Sequence, residues 1–115
     1  MLREDDVVRL RHMLDAARAV QRFTADRQRE DLASDDMLAF AVARGLEIIG
    51  EAANQVSEAT RAACPDLPWP LIVGMRHRLV HAYFDVNLAQ VWGTVTNDLP
   101  SLVAALEKML ADYDA

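Results

Sequence analysis

The sequence predicts an all-α fold, an antiparallel up-down four-helix bundle, from three observations. Apolar residues recur with a period near 3.6 in four long stretches. Glycines and prolines number only four each in 115 residues, and three of the prolines cluster between two of those stretches as punctuation. Hydrophobic residues make up 52% of the chain, enough for one domain spanning 1–115 to bury a core without disulfides. Four helices with short connections fold most simply as such a bundle.

The first helix is predicted from about Asp5 to Thr24, with Val7, Leu10, Leu14, Ala17 and Gln21 marking its inner stripe and acidic residues in its first turn. The polar stretch Asp26 to Ala33 reads as a loop. Ser34 is expected to cap the second helix, which continues through Asp35 and Asp36 to about Ala63. Leu38, Val42, Ile49, Ala52 and Val56 form its apolar ridge. Arg44, Glu47, Glu51, Asn54 and Glu58 succeed one another as a polar stripe, and the first four are candidates to line a cleft. Glu47 and Glu51 have the spacing of a general acid/base couple, although carboxylates at i and i+4 more often mark a solvated helix face.

Three prolines between Pro65 and Pro70 exclude a helix interior and predict a rigid connector, with Pro70 at a first helical position. A third helix is predicted from Leu71 to Ala82, then a turn over Phe84-Asp85-Val86-Asn87, where Asp85 or Asn87 caps the fourth helix. Leu88, Val91, Trp92, Val95, Leu99, Leu102, Val103, Leu106 and Leu110 keep one apolar face over the fourth helix, which Pro100 should bend. Trp69 and Trp92 read as packing residues.

Composition narrows the function. The single cysteine, Cys64, allows no disulfide within the chain and fits a reducing cytoplasm, where it reads as a small hydrophobe rather than a catalytic thiol. No apolar run approaches the ~20 residues that span a bilayer, and the first residues carry no leader-like apolar core, so the chain is expected to be soluble and cytoplasmic. Net charge is -6, which argues against general coating of polyanions. The charge is uneven, however: residues 67–84 carry Arg76 and Arg78 and no acid. A local positive focus on a negative body fits a specific anionic ligand.

That focus lies in Arg76-His-Arg-Leu-Val-His-Ala-Tyr83, which gathers guanidinium, imidazole and phenol groups in a short helical stretch. The planar fork of Arg76 matches two phosphate oxygens at once. His81 changes protonation near neutrality and can take or give a proton at an attacking or leaving oxygen. With RNA, such a base could activate a 2'-hydroxyl against its neighbouring phosphate without a metal. Taken singly, an Arg on a helix is usually a solvated surface residue and a lone His usually satisfies itself near a core. Five residues at 100° each separate Arg76 and His81 by about 140° on a regular helix. Their convergence therefore requires a swung arginine, a distorted helix or a pocket shared with a second protomer, and a two-fold dimer supplies the last. His77 and His81, at i and i+4, could ligate zinc, but only with help from Glu47, Glu51 or Cys64. Tyr83, taken alone, reads as an anchor for the helix end.

Four blocks of the chain resemble the HepT-like ribonuclease toxins of the HEPN superfamily. They are Arg44-Gly-Leu-Glu-Ile-Ile-Gly-Glu-Ala-Ala-Asn54, Pro65-Asp-Leu-Pro-Trp69, Gly74 through Asn87, and Val91-Trp92 with Asp98-Leu-Pro100. They cover half the chain, in order and with the family's spacing. The resemblance implies a dimeric HEPN-like bundle and a metal-independent RNA endonuclease with no cofactor, in which Arg76 and His81 are catalytic and His77 and Arg78 assist. It further implies the toxin role in a type VII toxin–antitoxin pair. The implied partner is a MntA-like minimal nucleotidyltransferase that adds AMP to Tyr83, in a homodimer or a larger hetero-oligomer. His77 stands where the family usually has Asn and keeps a polar group; Ala82 stands where Gly is usual and lacks its freedom at a helix end. The alternative from another class is a non-catalytic adaptor or nucleotide-binding module that docks a nucleotidyltransferase.

Overall fold

Helix α1 (Glu4–Thr24) starts with three acidic residues facing the positive helix end, and its buried stripe is Val7, Leu10, Met13, Leu14, Ala17 and Val20. The expected stripe has the correct phase but lacks Met13 and Val20, which are wholly buried, and includes Gln21, which is only half-buried. The computed structural model describes residues 2–82 and 88–114, and side chains for 2–75 and 88–114. Every regular element among these is helical. The turn over 84–87 and the cap at Asp85 or Asn87 lie outside the described residues.

The polar stretch expected to be a loop contains a short helix, α2 (Arg29–Ser34). After Asp26, whose φ of 61° turns the chain, the Asp31 carboxylate accepts the Gln28 backbone N–H at 2.7 Å and closes the first turn. Arg27 then donates to Asp31 and, at 2.7 Å, to Asp35, while Leu32 is buried as the anchor. This local ion network stabilises a turn that apolar periodicity could not reveal.

Helix α3 (Asp36–Asn54) is capped by Asp35 and not by Ser34, which ends α2; the Asp35 carboxylate accepts the Leu38 N–H at 3.1 Å. The single long helix expected to reach Ala63 is broken at Gln55–Ser57, and α4 (Glu58–Ala63) comes after the break. Both ends of the break are satisfied by side chains. On one side Arg61 donates to the carbonyls of Ala53 (2.9 Å) and Val56 (3.1 Å). On the other, Ser57 caps α4 by accepting the Thr60 N–H. Asp6, from α1, accepts the Ser57 N–H (2.9 Å), the Ser57 hydroxyl (2.6 Å) and the Thr60 hydroxyl (2.5 Å). Glu58 therefore lies on α4, off the polar stripe of α3.

These contacts fix direction. Asp6 near the start of α1 meets Ser57 just past the end of α3, and Val20 late in α1 meets Gly45 in the middle of α3, so the two helices run antiparallel. A β-carbon on Gly45 would stand 2.3 Å from Val20 Cγ2, which shows how closely the backbones approach there. Helix α7 (Leu99–Asp114) is antiparallel to α1 as well, through Arg11–Asp114 at 2.8 Å and Arg18–Glu107 at 3.3 Å. Helix α5 (Trp69–Ala82) packs on α3, so that Leu10, Met13, Val42, Leu46, Ile49, Ile72, Leu99 and Leu106 meet in one core.

Just upstream of Pro100, where a bend is expected, the helix widens. Between α6 (Leu88–Gly93) and α7 the segment Thr94–Asp98 is π-helical, and the Leu99 N–H bonds back to Thr94. Proline has no N–H and crowds the carbonyl four residues earlier, so the strain is relieved by a wider turn just upstream. Leu88, Val91 and Trp92 are only half-buried against the core edge, and α6 packs on α2.

Candidate active site

The Arg76 to His81 motif occupies the last two turns of α5, so the contacts that hold α5 position the motif. The helix starts at Trp69, two residues earlier than expected, with Pro70 at its second position. The Trp69 indole N–H donates to the Cys64 carbonyl at 3.0 Å, and the Arg61 guanidinium lies 6.0 Å from the ring centroid. Trp69, Ile72 and Met75 are all buried, and this stripe sets the rotational phase of α5. Gly74 faces open space and is not required for packing.

Arg76, His77, Arg78 and His81 thus lie within two turns of one α-helix, while their side chains and all of Tyr83 lie outside the described residues. The structure does describe the expected cleft-lining positions. Arg44 donates to Glu47 and lies 3.8 Å from Glu51, so both carboxylates serve as ion partners of Arg44. Arg44 and Glu51 line a cleft of about 600 Å³ between α1 and α3, with Arg9, His12, Ile48, Ala52 and Gln55. Glu47 stands at its edge through Arg44, and Asn54 is exposed outside it. Arg9 and His12 are absent from the sequence-based expectation; their i, i+3 spacing on the polar side of α1 is the signal that could have found them.

Cys64 is half-buried, and burial together with the nearby Asp66 carboxylate pushes its thiol up from the ordinary value. A thiol held protonated is a poor nucleophile, in keeping with its packing role. Among the described residues no three His, Cys, Asp or Glu side chains gather to hold a metal ion. Among those residues, too, no helix is long and apolar enough to cross a membrane.

The sequence model of the family described as "Ribonuclease HepT-like" matches residues 13–109. The chain belongs to the ribonuclease HepT-like family. Relatives span most of its length. The protein named "Probable ribonuclease HepT" from Thermococcus cleftensis is 38% identical over 100 residues, covering 87% of this chain and 91% of the relative. "Putative RNase MJ1380" from Methanocaldococcus jannaschii is 34% identical over 107 residues, covering 93% and 98%. "Putative RNase TTE0752" from Caldanaerobacter subterraneus is 38% identical over 81 residues, covering 70% and 72%. No solved structure matches the chain. The HepT-like match reaches beyond the motif blocks into α1 and α7, both of which pack in the core with α3.

Proposed function

We propose that this HepT-like chain is an RNA endonuclease that cleaves without a metal, folded as one domain over 1–115 in a HEPN-type four-helix bundle that pairs as a homodimer. The observation that carries the reading is the membership itself, joined to a motif whose chemistry suits a phosphodiester. Arg76 binds the scissile phosphate and neutralises charge that grows on its oxygens. His81 takes the proton of the adjacent ribose 2'-hydroxyl, whose oxygen attacks phosphorus as the bond to the 5'-oxygen breaks. The departing oxygen receives a proton, leaving a 2',3'-cyclic phosphate and a 5'-hydroxyl. His77 and Arg78 assist by hydrogen bonding and charge.

Helical register supports a shared pocket. With the Trp69–Ile72–Met75 stripe turned to the core, position 76 falls about 40° from the middle of that stripe and position 81 about 180° from it. A second copy meeting α5 across a two-fold axis brings another Arg76 toward each His81.

The same reading makes the chain the toxin of a type VII pair, acting in the cytoplasm. A MntA-like nucleotidyltransferase would transfer AMP from ATP to the Tyr83 hydroxyl, releasing pyrophosphate and placing a phosphate where Arg76 would hold RNA. Mass spectrometry after incubation with the cognate transferase and ATP should find AMP at Tyr83; modification at other residues alone contradicts this part.

The test of the nuclease is direct. Purified wild-type protein should cleave RNA in excess EDTA, and Arg76→Ala and His81→Ala should each abolish cleavage with an unchanged helical circular-dichroism spectrum. Full activity in either variant overturns the assignment, and loss of wild-type activity in chelator overturns metal independence.

A further inference from the structure

We infer that the cleft between α1 and α3 is a second nucleotide-binding site, separate from the motif on α5. Its ligand class is a ribonucleoside phosphate, one unit of which spans a cavity of about 600 Å³ with room for water. Two helices build it in register. Arg9 and His12 come from α1, opposite Gln55 and Glu51 at the end of α3, the same antiparallel pairing that brings Asp6 to Ser57.

The lining divides into the parts such a ligand needs. Ile48 and Ala52 form an apolar floor on which a base can lie. Gln55 offers a donor and an acceptor, and Glu51 an acceptor, for the edge of that base. Arg44 is matched by the carboxylates of Glu47 and Glu51, so Arg9 and His12 are the groups at this cleft left to face an anion. Arg44 is held in place by Glu47 and Glu51, so its fork is ordered in advance. Arg9 and His12 are exposed and, among the described residues, make no ion pair, which leaves them to meet a phosphate. Beyond Arg44 the exposed side of α3 continues to Phe40, 56% exposed, and Met37, 84% exposed, apolar surface on which the next base of a strand can rest.

A free nucleotide and an RNA strand both carry this chemistry, and two probes separate them: AMP, and a six-nucleotide RNA bearing 2'-O-methyl groups, which the proposed reaction cannot cut. Each is titrated into the His81→Ala protein while the methyl resonances of Ile48 and Ala52 are monitored by NMR. Saturable shifts with either probe, weakened at least tenfold by Arg9→Ala and by His12→Ala, are the expected result. Shifts with AMP alone assign the site to free nucleotides, and shifts with the RNA alone assign it to the strand. No shift with either probe, or shifts that neither substitution weakens, overturns the site. Cleavage by wild-type protein, assayed in parallel, reports on the α5 motif independently, so failure of one reading is distinguishable from failure of the other.

Discussion

The Arg61 guanidinium stands 6.0 Å from the centroid of the Trp69 ring while two of its nitrogens bind the carbonyls that end α3. One side chain thereby ties the last turn of α3 to the first residue of α5. The helix that carries Arg76 and His81 thus takes its starting point from the helix it packs on.

Replacing Arg61 by alanine should destabilise the fold by roughly 2 kcal/mol, less than the full sum of charge-assisted bonds to two carbonyls and a cation–π contact because the side chain is only half-buried. Arg61→Lys should recover only part of this, because an ammonium cannot span both carbonyls and lie flat on the indole. Urea denaturation of the three proteins checks the order wild type, Lys, Ala.

Asp6 makes stability depend on acid. Burial raises its carboxyl pKa, but the Ser57 hydroxyl, the Thr60 hydroxyl and the Ser57 N–H outweigh burial and leave it below 3.8. A carboxylate depressed in the folded state stabilises fully above its unfolded value. That contribution should fade below about pH 5 and vanish as pH falls through the depressed folded value. Asp6→Ala should cost about 2–4 kcal/mol at neutral pH, since it strips the partners from a helix cap and a buried hydroxyl. Its unfolding free energy should vary less than that of wild type between pH 5 and pH 3; parallel curves would contradict the assignment.

Gly45→Ala should destabilise by about 1–3 kcal/mol despite the better helix propensity of alanine, because the new methyl meets the buried Val20. Val20→Ala removes the obstructing methyl groups. A double-mutant cycle should therefore show the two substitutions together costing less than their sum.

A pocket shared between copies can be tested by mixing. Arg76→Ala and His81→Ala proteins, each inactive, should regain about one quarter of wild-type cleavage after joint refolding, since half the dimers are mixed and each holds one intact pair. A mixture that stays inactive places both groups in one protomer.

The sequence disclosed most where periodicity was long. The buried ridge of Leu38, Val42, Ile49, Ala52 and Val56 and the stripe from Val95 to Leu110 are legible because many turns repeat the same spacing. The features that escape are written in polar partners distant along the chain. Ser57 and Thr60 lie in a stretch whose apolar pattern runs on smoothly, and only Asp6, 51 residues away from Ser57, shows why the helix stops there. The short α2 is hidden for a similar reason, since Arg27, Asp31 and Asp35 resemble ordinary loop residues until their geometry is known. At the site, the Arg44 stripe and the Arg9/His12 spacing are each visible in the sequence, but that they face one another is seen only when α1 is laid antiparallel against α3.

The π turn at Thr94–Asp98 means that this stretch holds one residue more than a plain α-helix would need. Each surplus residue rotates the upstream turns by about 100° relative to the downstream ones. Trp92, which falls about 20° from Leu99 on a uniform helical wheel, is thereby swung toward the rim. Deleting Thr96 would close the surplus and roll that tryptophan back toward the interior. The extra residue thus works as a rotary offset, setting which side of α6 is presented to α2 without altering the core below.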